Sequence, residues 1–145
     1  MKETYGDQVR IIWKHFPLVS IHKDAYLAHV AAVAAGDQGK FWEYNKKLFG
    51  SQPKIQKEFL LTYAKELGLD MKRFEDDLNT GKGKTIIDAD VSEGRSLGLS
   101  GTPAFFVNGK YASGAKRYEE FVEMINAELT KLNLPIPKAA QTPDA

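Results

Sequence analysis

The pattern of apolar and polar residues predicts a helical middle to this chain and a further helix near its end. Residues 22–35 are rich in alanine, the best helix former, and Gly36 after them is a typical helix C-cap. In residues 118–132, apolar side chains recur at the i, i+3, i+4, i+7 spacing of an amphipathic helix. Four more helices are predicted between these two: one capped by Asp37 and containing residues 41–49, then 57–67, 70–80 and 82–97.

Two short stretches have the composition of β-strands. Residues 9–16 alternate loosely between apolar and polar side chains, and Pro17 ends the run. Residues 104–107 are all apolar, with Pro103 at their start, where a proline removes no hydrogen bond from a sheet. An Asn-Gly pair follows them, which is the strongest short-range signal for a tight β-hairpin. A strand, a helical block and a hairpin together indicate an α/β arrangement.

The cysteine content restricts the chemistry more than any other feature of the composition. None of the 145 residues is cysteine, so they hold no disulfide, no thiolate metal site and no cysteine nucleophile. Thiol–disulfide exchange begins with attack by a thiolate, so the sequence as given predicts no such activity.

Charge and hydropathy exclude two further classes of partner. The net charge is +1 without a block of Lys or Arg, which does not indicate binding to nucleic acid or to an anionic membrane. No apolar run is long enough to span a membrane, and the first residues lack the apolar core of a signal peptide.

Several motifs follow one another in a definite order along the chain. They are Tyr5-Gly6-Asp7-Gln8-Val9-Arg10, Lys14-His15-Phe16-Pro17-Leu18, Ala34-Ala35-Gly36-Asp37-Gln38-Gly39-Lys40-Phe41-Trp42, Glu66-Leu67-Gly68-Leu69-Asp70 and Gly101-Thr102-Pro103-Ala104-Phe105-Phe106-Val107-Asn108-Gly109. In order and spacing they resemble the DsbA-like branch of the thioredoxin superfamily, a family of disulfide oxidoreductases. The resemblance begins at the end of the family's first helix and covers nearly the whole chain. The family's first strand and its Cys-x-x-Cys helix start have no counterpart in these residues.

The resemblance implies an α/β, thioredoxin-like fold over residues 1–133, with an inserted helical block at about residues 22–98. Residues 134–145 contain three prolines and few residues to bury, which predicts a disordered tail. The resemblance also implies that the central first strand is missing, since in the family that strand lies between the counterparts of residues 9–16 and 104–107. Buried backbone groups left unpaired along such a gap would each cost about 1–3 kcal/mol. Three solutions are open: residues 9–16 pair directly with 104–107, a second chain supplies the strand, or the sequence is a fragment of a longer protein.

The loop ahead of the predicted hairpin is the candidate binding site. By resemblance, the Thr102–Pro103 peptide bond is cis, and Gly101, Thr102 and Pro103 offer backbone hydrogen bonds to an extended substrate peptide. The alternative interpretation is a purely structural turn. No catalytic residue, cofactor or metal ligand is predicted: the histidines are spaced seven apart, but His15 is assigned to the predicted strand, and a zinc site needs more ligands close together.

Two functions are compatible with these residues. The first is a member or fragment of the DsbA-like oxidoreductase family, redox-inactive as given, with a peptide or protein substrate as its partner. By resemblance its compartment would be periplasmic or otherwise extracytoplasmic, although the sequence itself leaves the localisation unknown. The second is a non-catalytic module that captures a peptide, or its own copy in a homo-oligomer, through the Thr102–Pro103 loop and an open sheet edge.

Overall fold

The structure, a computed structural model, describes residues 1–141 and divides them into two compact units. The helical unit comprises Lys14–Leu99, and the hairpin unit combines Met1–Trp13 with residues 100–141. The helices are α1 (Lys2–Tyr5), α2 (Ala25–Gly36), α3 (Phe41–Gly50), α4 (Lys57–Glu66), α5 (Met71–Thr80), α6 (Lys84–Ser96) and α7 (Tyr118–Lys131). The strands are β1 (Ala104–Val107) and β2 (Lys110–Ser113), and short 3-10 helices cover Gly6–Gln8 and Lys138–Ala140.

The helical unit is built around α2, which contacts α3, α4, α5 and α6. Most of its side chains are alanine or valine, and their small size lets the neighbouring helices come close. The result is a helix that is apolar on nearly all sides, as expected for one inside a core. The largest side chains buried around it are Tyr44, Leu60, Phe74 and Ile87, each 0% exposed.

The backbone approaches a neighbouring helix closely at Gly83, which comes just before α6. Gly83 has φ +78°, and a Cβ atom on it would lie 2.4 Å from Cγ1 of Val33 on α2. That distance is far below van der Waals contact, so only glycine fits this position without displacing Val33.

Substitution of Gly83 by alanine is therefore expected to lower the free energy of unfolding by about 2 kcal/mol, from left-handed backbone strain and overpacking together. Gly81→Ala is the matched control: Gly81 has φ +71°, but a Cβ there meets no atom within 4 Å. The control variant should lose only the stability that backbone strain costs, about 1 kcal/mol. Urea denaturation measures both, and equal losses in the two variants would contradict the packing argument. Adding Val33→Ala to Gly83→Ala should relieve the clash.

The hairpin unit contains the hairpin that the Asn-Gly pair predicts. Asn108 and Gly109 have φ 47° and 81°, the left-handed values that a two-residue hairpin turn requires. The two strands are antiparallel, and Phe106 lies opposite Tyr111 in the register.

The two faces of the hairpin have different surroundings. On one face the Phe105 ring lies 4.8 Å from the ring of Phe121, centroid to centroid, which packs the hairpin against α7. On the other face the rings of Phe106 and Tyr111 lie 5.2 Å apart. Both of these rings face solvent, with exposed fractions of 42% and 53%.

The predicted strand at residues 9–16 is wrong. The chain is extended at Val9, but no strand is assigned to this segment, and among residues 1–141 it makes no backbone hydrogen bond to β1. A strand needs a neighbouring strand for its N–H and C=O groups, and composition alone does not supply one. His15 instead donates its backbone N–H to the side chain of Asp90. Direct pairing of residues 9–16 with 104–107, one of the three solutions left open by the sequence, is therefore not adopted.

The six predicted helices are confirmed, with corrections at their ends. The first begins at Ala25 rather than at residue 22. Asp37 does not cap α3, because it directly follows α2 and the residue before α3 is Lys40. Asp70 opens α5 as predicted, and its carboxylate accepts the backbone N–H of Arg73 at 3.1 Å.

The end of the chain differs from the disordered tail predicted at 134–145. The 3-10 helix Lys138–Ala140 contains a buried residue, Ala140, which packs in a cluster with Tyr5, Ile125 and Leu129. The side-chain amide of Asn126 also donates to the C=O of Ala140 at 2.8 Å. The rest of the predicted tail, residues 142–145, lies outside the described residues.

Candidate functional site

The loop of Gly101, Thr102 and Pro103 directly precedes β1 in the hairpin unit. The peptide bond between Thr102 and Pro103 is cis. Thr102 and Pro103 are exposed to solvent, and Gly101 is half-buried. The structure thus places all three predicted site residues at the surface, at the entry to a strand.

Hydrogen bonds hold one end of this loop and leave the other end open. The C=O of Pro103 accepts the N–H of Gly114 at 3.1 Å, which anchors the loop to the chain just after β2. In the part of the chain that the structure describes, Thr102 has no hydrogen-bond partner. In general, main-chain N–H and C=O groups without a partner are those through which an extended peptide can add to the edge of a sheet.

A second polar cluster lies in the helical unit and centres on His15 and His29, which we call the histidine pair. Nδ1 of His15 lies 2.8 Å from Nδ1 of His29, which belongs to α2. The backbone N–H of His15 donates to one carboxylate oxygen of Asp90 at 2.9 Å, and Nζ of Lys14 donates to the other at 2.8 Å. Because Asp90 belongs to α6, these contacts fasten the segment at Lys14 and His15 to two helices.

Burial determines the protonation of the histidine pair. It lowers the pKa of His15, and it lowers the pKa of His29 to about 4, with His15 lowering it further. Both rings are therefore neutral at pH 7, and the Nδ1–H of one donates to the bare Nδ1 of the other. Hydrogen bonds to Asp90 and Glu93 raise the pKa of Lys14, so its ammonium group stays charged.

Sequence reasoning missed the histidine pair. The two residues are 14 positions apart, with a proline between them, so no periodic pattern brings them together. Among residues 1–141 there is no group of three or more His, Cys, Asp or Glu side chains that could hold a metal ion. The Nδ1–Nδ1 distance is that of a hydrogen bond, which identifies the pair as a proton-sharing contact.

The architecture and the loop define a class of protein: a small mixed α/β protein with a helical block and an exposed cis-proline loop leading into a strand. Residues 1–126 match the family model described as "DSBA-like thioredoxin domain". The chain belongs to this family of DSBA-like thioredoxin domains.

A solved structure described as a thioredoxin-like oxidoreductase from Silicibacter pomeroyi DSS-3 is similar to this chain. The TM-score is 0.72 at 24% sequence identity, and the match covers 81% of this chain and 66% of that one. The fold is therefore thioredoxin-like, with the helical block and the two-stranded sheet described above.

Curated relatives share the sequence within much longer proteins. The chain is 37% identical over 136 residues to "Na(+)/H(+) antiporter NhaA 1" of Salinispora arenicola, which is 94% of this chain and 21% of the antiporter. It is 33% identical over 115 residues to "Na(+)/H(+) antiporter NhaA" of Herminiimonas arsenicoxydans, and this match covers 79% of this chain and 18% of the antiporter. The chain thus spans about a fifth of the length of the curated relatives it matches. Within residues 1–141, no helix has both the length and the hydropathy to cross a membrane.

Proposed function

We propose that this chain is the client-docking part of a DsbA-like domain, where the client is a polypeptide bound in an extended conformation. The Thr102–Pro103 loop binds the client, and the chain's own residues do not exchange thiols and disulfides. The observation that carries the proposal is that Thr102 is exposed, has no hydrogen-bond partner among residues 1–141 and lies just ahead of β1.

The anchored conformation of the loop supports docking through the main chain. The bond from Gly114 to Pro103 fixes the second half of the loop, so little conformational entropy remains to be lost when a client binds. Main-chain hydrogen bonds do not depend on the client's side chains, so many sequences can bind. Such a site suits a protein whose clients share an extended conformation rather than a motif.

The absence of sulfur chemistry follows from the residues themselves. Exchange requires a thiolate that attacks a disulfide, and the 145 residues contain no cysteine. No other side chain forms or resolves a mixed disulfide. In this proposal the chain therefore positions a client, and any oxidation of that client uses sulfur atoms from outside these residues.

Thr102→Arg is expected to weaken client binding by at least about tenfold, because a long charged side chain covers the main-chain groups that dock the client. The probe is a fluorescein-labelled, cysteine-free peptide rich in Val, Thr and Ser, and its fluorescence anisotropy is measured against the purified chain. In a second assay, reduction of insulin disulfides by dithiothreitol should proceed at the uncatalysed rate when the chain is added.

Gln52→Arg is the matched control for Thr102→Arg. Gln52 is also exposed and also precedes a cis proline, Pro53, but it lies in the helical unit. The control should bind the peptide as the wild type does. Equal binding by Thr102→Arg and wild type would refute docking at this loop, and faster insulin reduction by a pure sample would refute the absence of exchange.

A further inference from the structure

A cleft of about 350 Å³ lies along α6 in the helical unit. Its lining residues come from the loop ahead of α2, from the start of α2 and from one side of α6. The loop contributes Val19, α2 contributes Tyr26, and α6 contributes Asp88, Val91, Ser92 and Arg95. Neither the Thr102–Pro103 loop nor the histidine pair lines this cleft, so it is a separate site within one compact unit.

The side of α6 that lines the cleft carries opposite charges at its two ends. Asp88, Val91, Ser92 and Arg95 follow the i, i+3, i+4, i+7 spacing, which places them on one face of a helix. Seven residues of helix separate the Cα atoms of Asp88 and Arg95 by about 10 Å. The cleft therefore has a carboxylate at one end, a guanidinium group at the other, and a valine and a serine between them.

The guanidinium group of Arg95 is available to a ligand. Within residues 1–141 its side chain makes no hydrogen bond and no ion pair. The helix supplies no acidic neighbour, because the residues three and four positions away on either side are valine, serine, glycine and leucine. A planar guanidinium group with free N–H groups binds a carboxylate through two parallel hydrogen bonds.

The carboxylate of Asp88 is oriented but not neutralised. The hydroxyl of Tyr26 donates to one of its oxygens at 3.0 Å, and no ion pair to Asp88 forms in the described part of the chain. An ionised carboxylate accepts several hydrogen bonds, so it can still accept one from an ammonium group. Between the two charges, the hydroxyl of Ser92 has no hydrogen-bond partner among the described residues and can bond to a peptide group.

We propose that this cleft binds a short apolar peptide of about three residues with both termini free. Its ammonium group lies at Asp88, its carboxylate lies at Arg95, and its small side chains contact Val19 and Val91. An extended chain advances about 3.3–3.6 Å per residue, so three residues match the separation of about 10 Å. A volume of about 350 Å³ is at the lower end of the range for small-molecule sites, which restricts the ligand to small side chains.

This ligand differs from the client proposed for the Thr102–Pro103 loop. The client is any extended segment of polypeptide, whereas the peptide in the cleft is recognised by its two charged ends. The inference therefore goes beyond the docking proposal and does not depend on it. Thr102→Arg, which should weaken client docking, should leave binding in the cleft unchanged, so the two proposals can fail separately.

The probe is the tripeptide alanyl-valyl-alanine, added to the isotope-labelled wild-type chain while backbone amide shifts are followed by NMR. Saturable shifts are expected in the loop ahead of α2, at Tyr26 and along α6 from Asp88 to Arg95. Arg95→Gln and Asp88→Asn should each raise the dissociation constant by at least about tenfold. Arg10→Gln and Asp76→Asn are the matched controls, because both residues are exposed and neither lines the cleft, and they should bind as wild type does.

Capped peptides assign each charge without relying on the variants alone. The C-terminal amide removes the carboxylate and should bind the wild-type chain at least about tenfold more weakly, but it should bind Arg95→Gln about as well as the free acid does. The N-acetylated peptide should behave in the same way toward Asp88→Asn. The proposal is overturned if millimolar tripeptide causes no saturable shift, if the shifts lie elsewhere, or if capping does not weaken binding to the wild-type chain.

Discussion

Lowering the pH from 7 to 4 is expected to remove about 3 kcal/mol from the free energy of unfolding through His29 alone. Burial holds the pKa of His29 at about 4 in the folded chain, against 6.5 for an ordinary histidine. Between these two values the unfolded chain binds a proton that the folded chain does not. Stability is therefore full above pH 6.5 and falls as the pH drops through the window toward 4.

The charged and titratable groups around His29 are consistent with its lowered pKa and with a loss of stability at low pH. His15 lies against it and has a lowered pKa of its own, so the pair cannot take up two protons without losing the Nδ1–Nδ1 bond. Asp90 favours protonation of both rings, but burial outweighs it. Its carboxylate is already occupied by Lys14 and by the backbone of His15.

Urea denaturation at a series of pH values between 7 and 4 measures the effect, and His29→Asn isolates it. Asparagine keeps a polar atom near the position of Nδ1 but does not titrate. Between pH 7 and pH 4 the loss of unfolding free energy should therefore be about 3 kcal/mol smaller in the variant than in the wild type. His22→Asn is the control, because His22 is exposed and lies outside the pair. A pH dependence that His29→Asn leaves unchanged would contradict the assignment.

The helices and the hairpin could be predicted because their signals are local. The Asn-Gly turn and the apolar run before it determine the hairpin within a few residues. The repeat of apolar side chains determines α7 in the same way, and its observed range, Tyr118–Lys131, is one residue shorter than predicted.

The failed predictions concern contacts between distant parts of the chain. Residues 9–16 have strand composition, but strand formation depends on a neighbour that composition does not reveal. The histidine pair was not predicted for the same reason, since the approach of His15 to α2 depends on the position of α6 and its Asp90. Disorder was predicted for residues 134–145 because of their prolines, whereas Ala140 is buried in a cluster with Tyr5.

The candidate loop could be located from the sequence but not characterised. The Gly-Thr-Pro motif and the strand after it placed the loop at the entry to β1. The sequence alone did not reveal that Pro103 is anchored through Gly114 while Thr102 lacks a partner among residues 1–141. That difference arises from the strand register, which determines the direction of each main-chain group, and it is the basis of the docking proposal.

Phe74→Ala is expected to lower the free energy of unfolding by about 3–5 kcal/mol, the largest effect of any single substitution considered for this chain. Phe74 lies on α5, its side chain is 0% exposed, and its ring lies 5.7 Å from that of Tyr44 on α3. Alanine would remove most of the buried apolar surface and leave a cavity that the surrounding helices cannot fill by small movements. Urea denaturation monitored by far-UV circular dichroism gives the loss directly.

The size of this loss follows from how the helical unit is held together. Tyr44 is fixed by a hydrogen bond from its hydroxyl to the C=O of Leu60 at 2.8 Å, so its ring cannot swing into the space that Phe74 leaves. Phe49→Ala is the matched control: Phe49 lies in the same unit but is 64% exposed, so its truncation should cost less than about 1 kcal/mol. A domain of this size has only about 5–15 kcal/mol of stability, so Phe74→Ala should remove a large share of it. A loss below that of Phe49→Ala would mean that α5 is not part of the core, and the contacts of α2 with α5 would have to be reassigned.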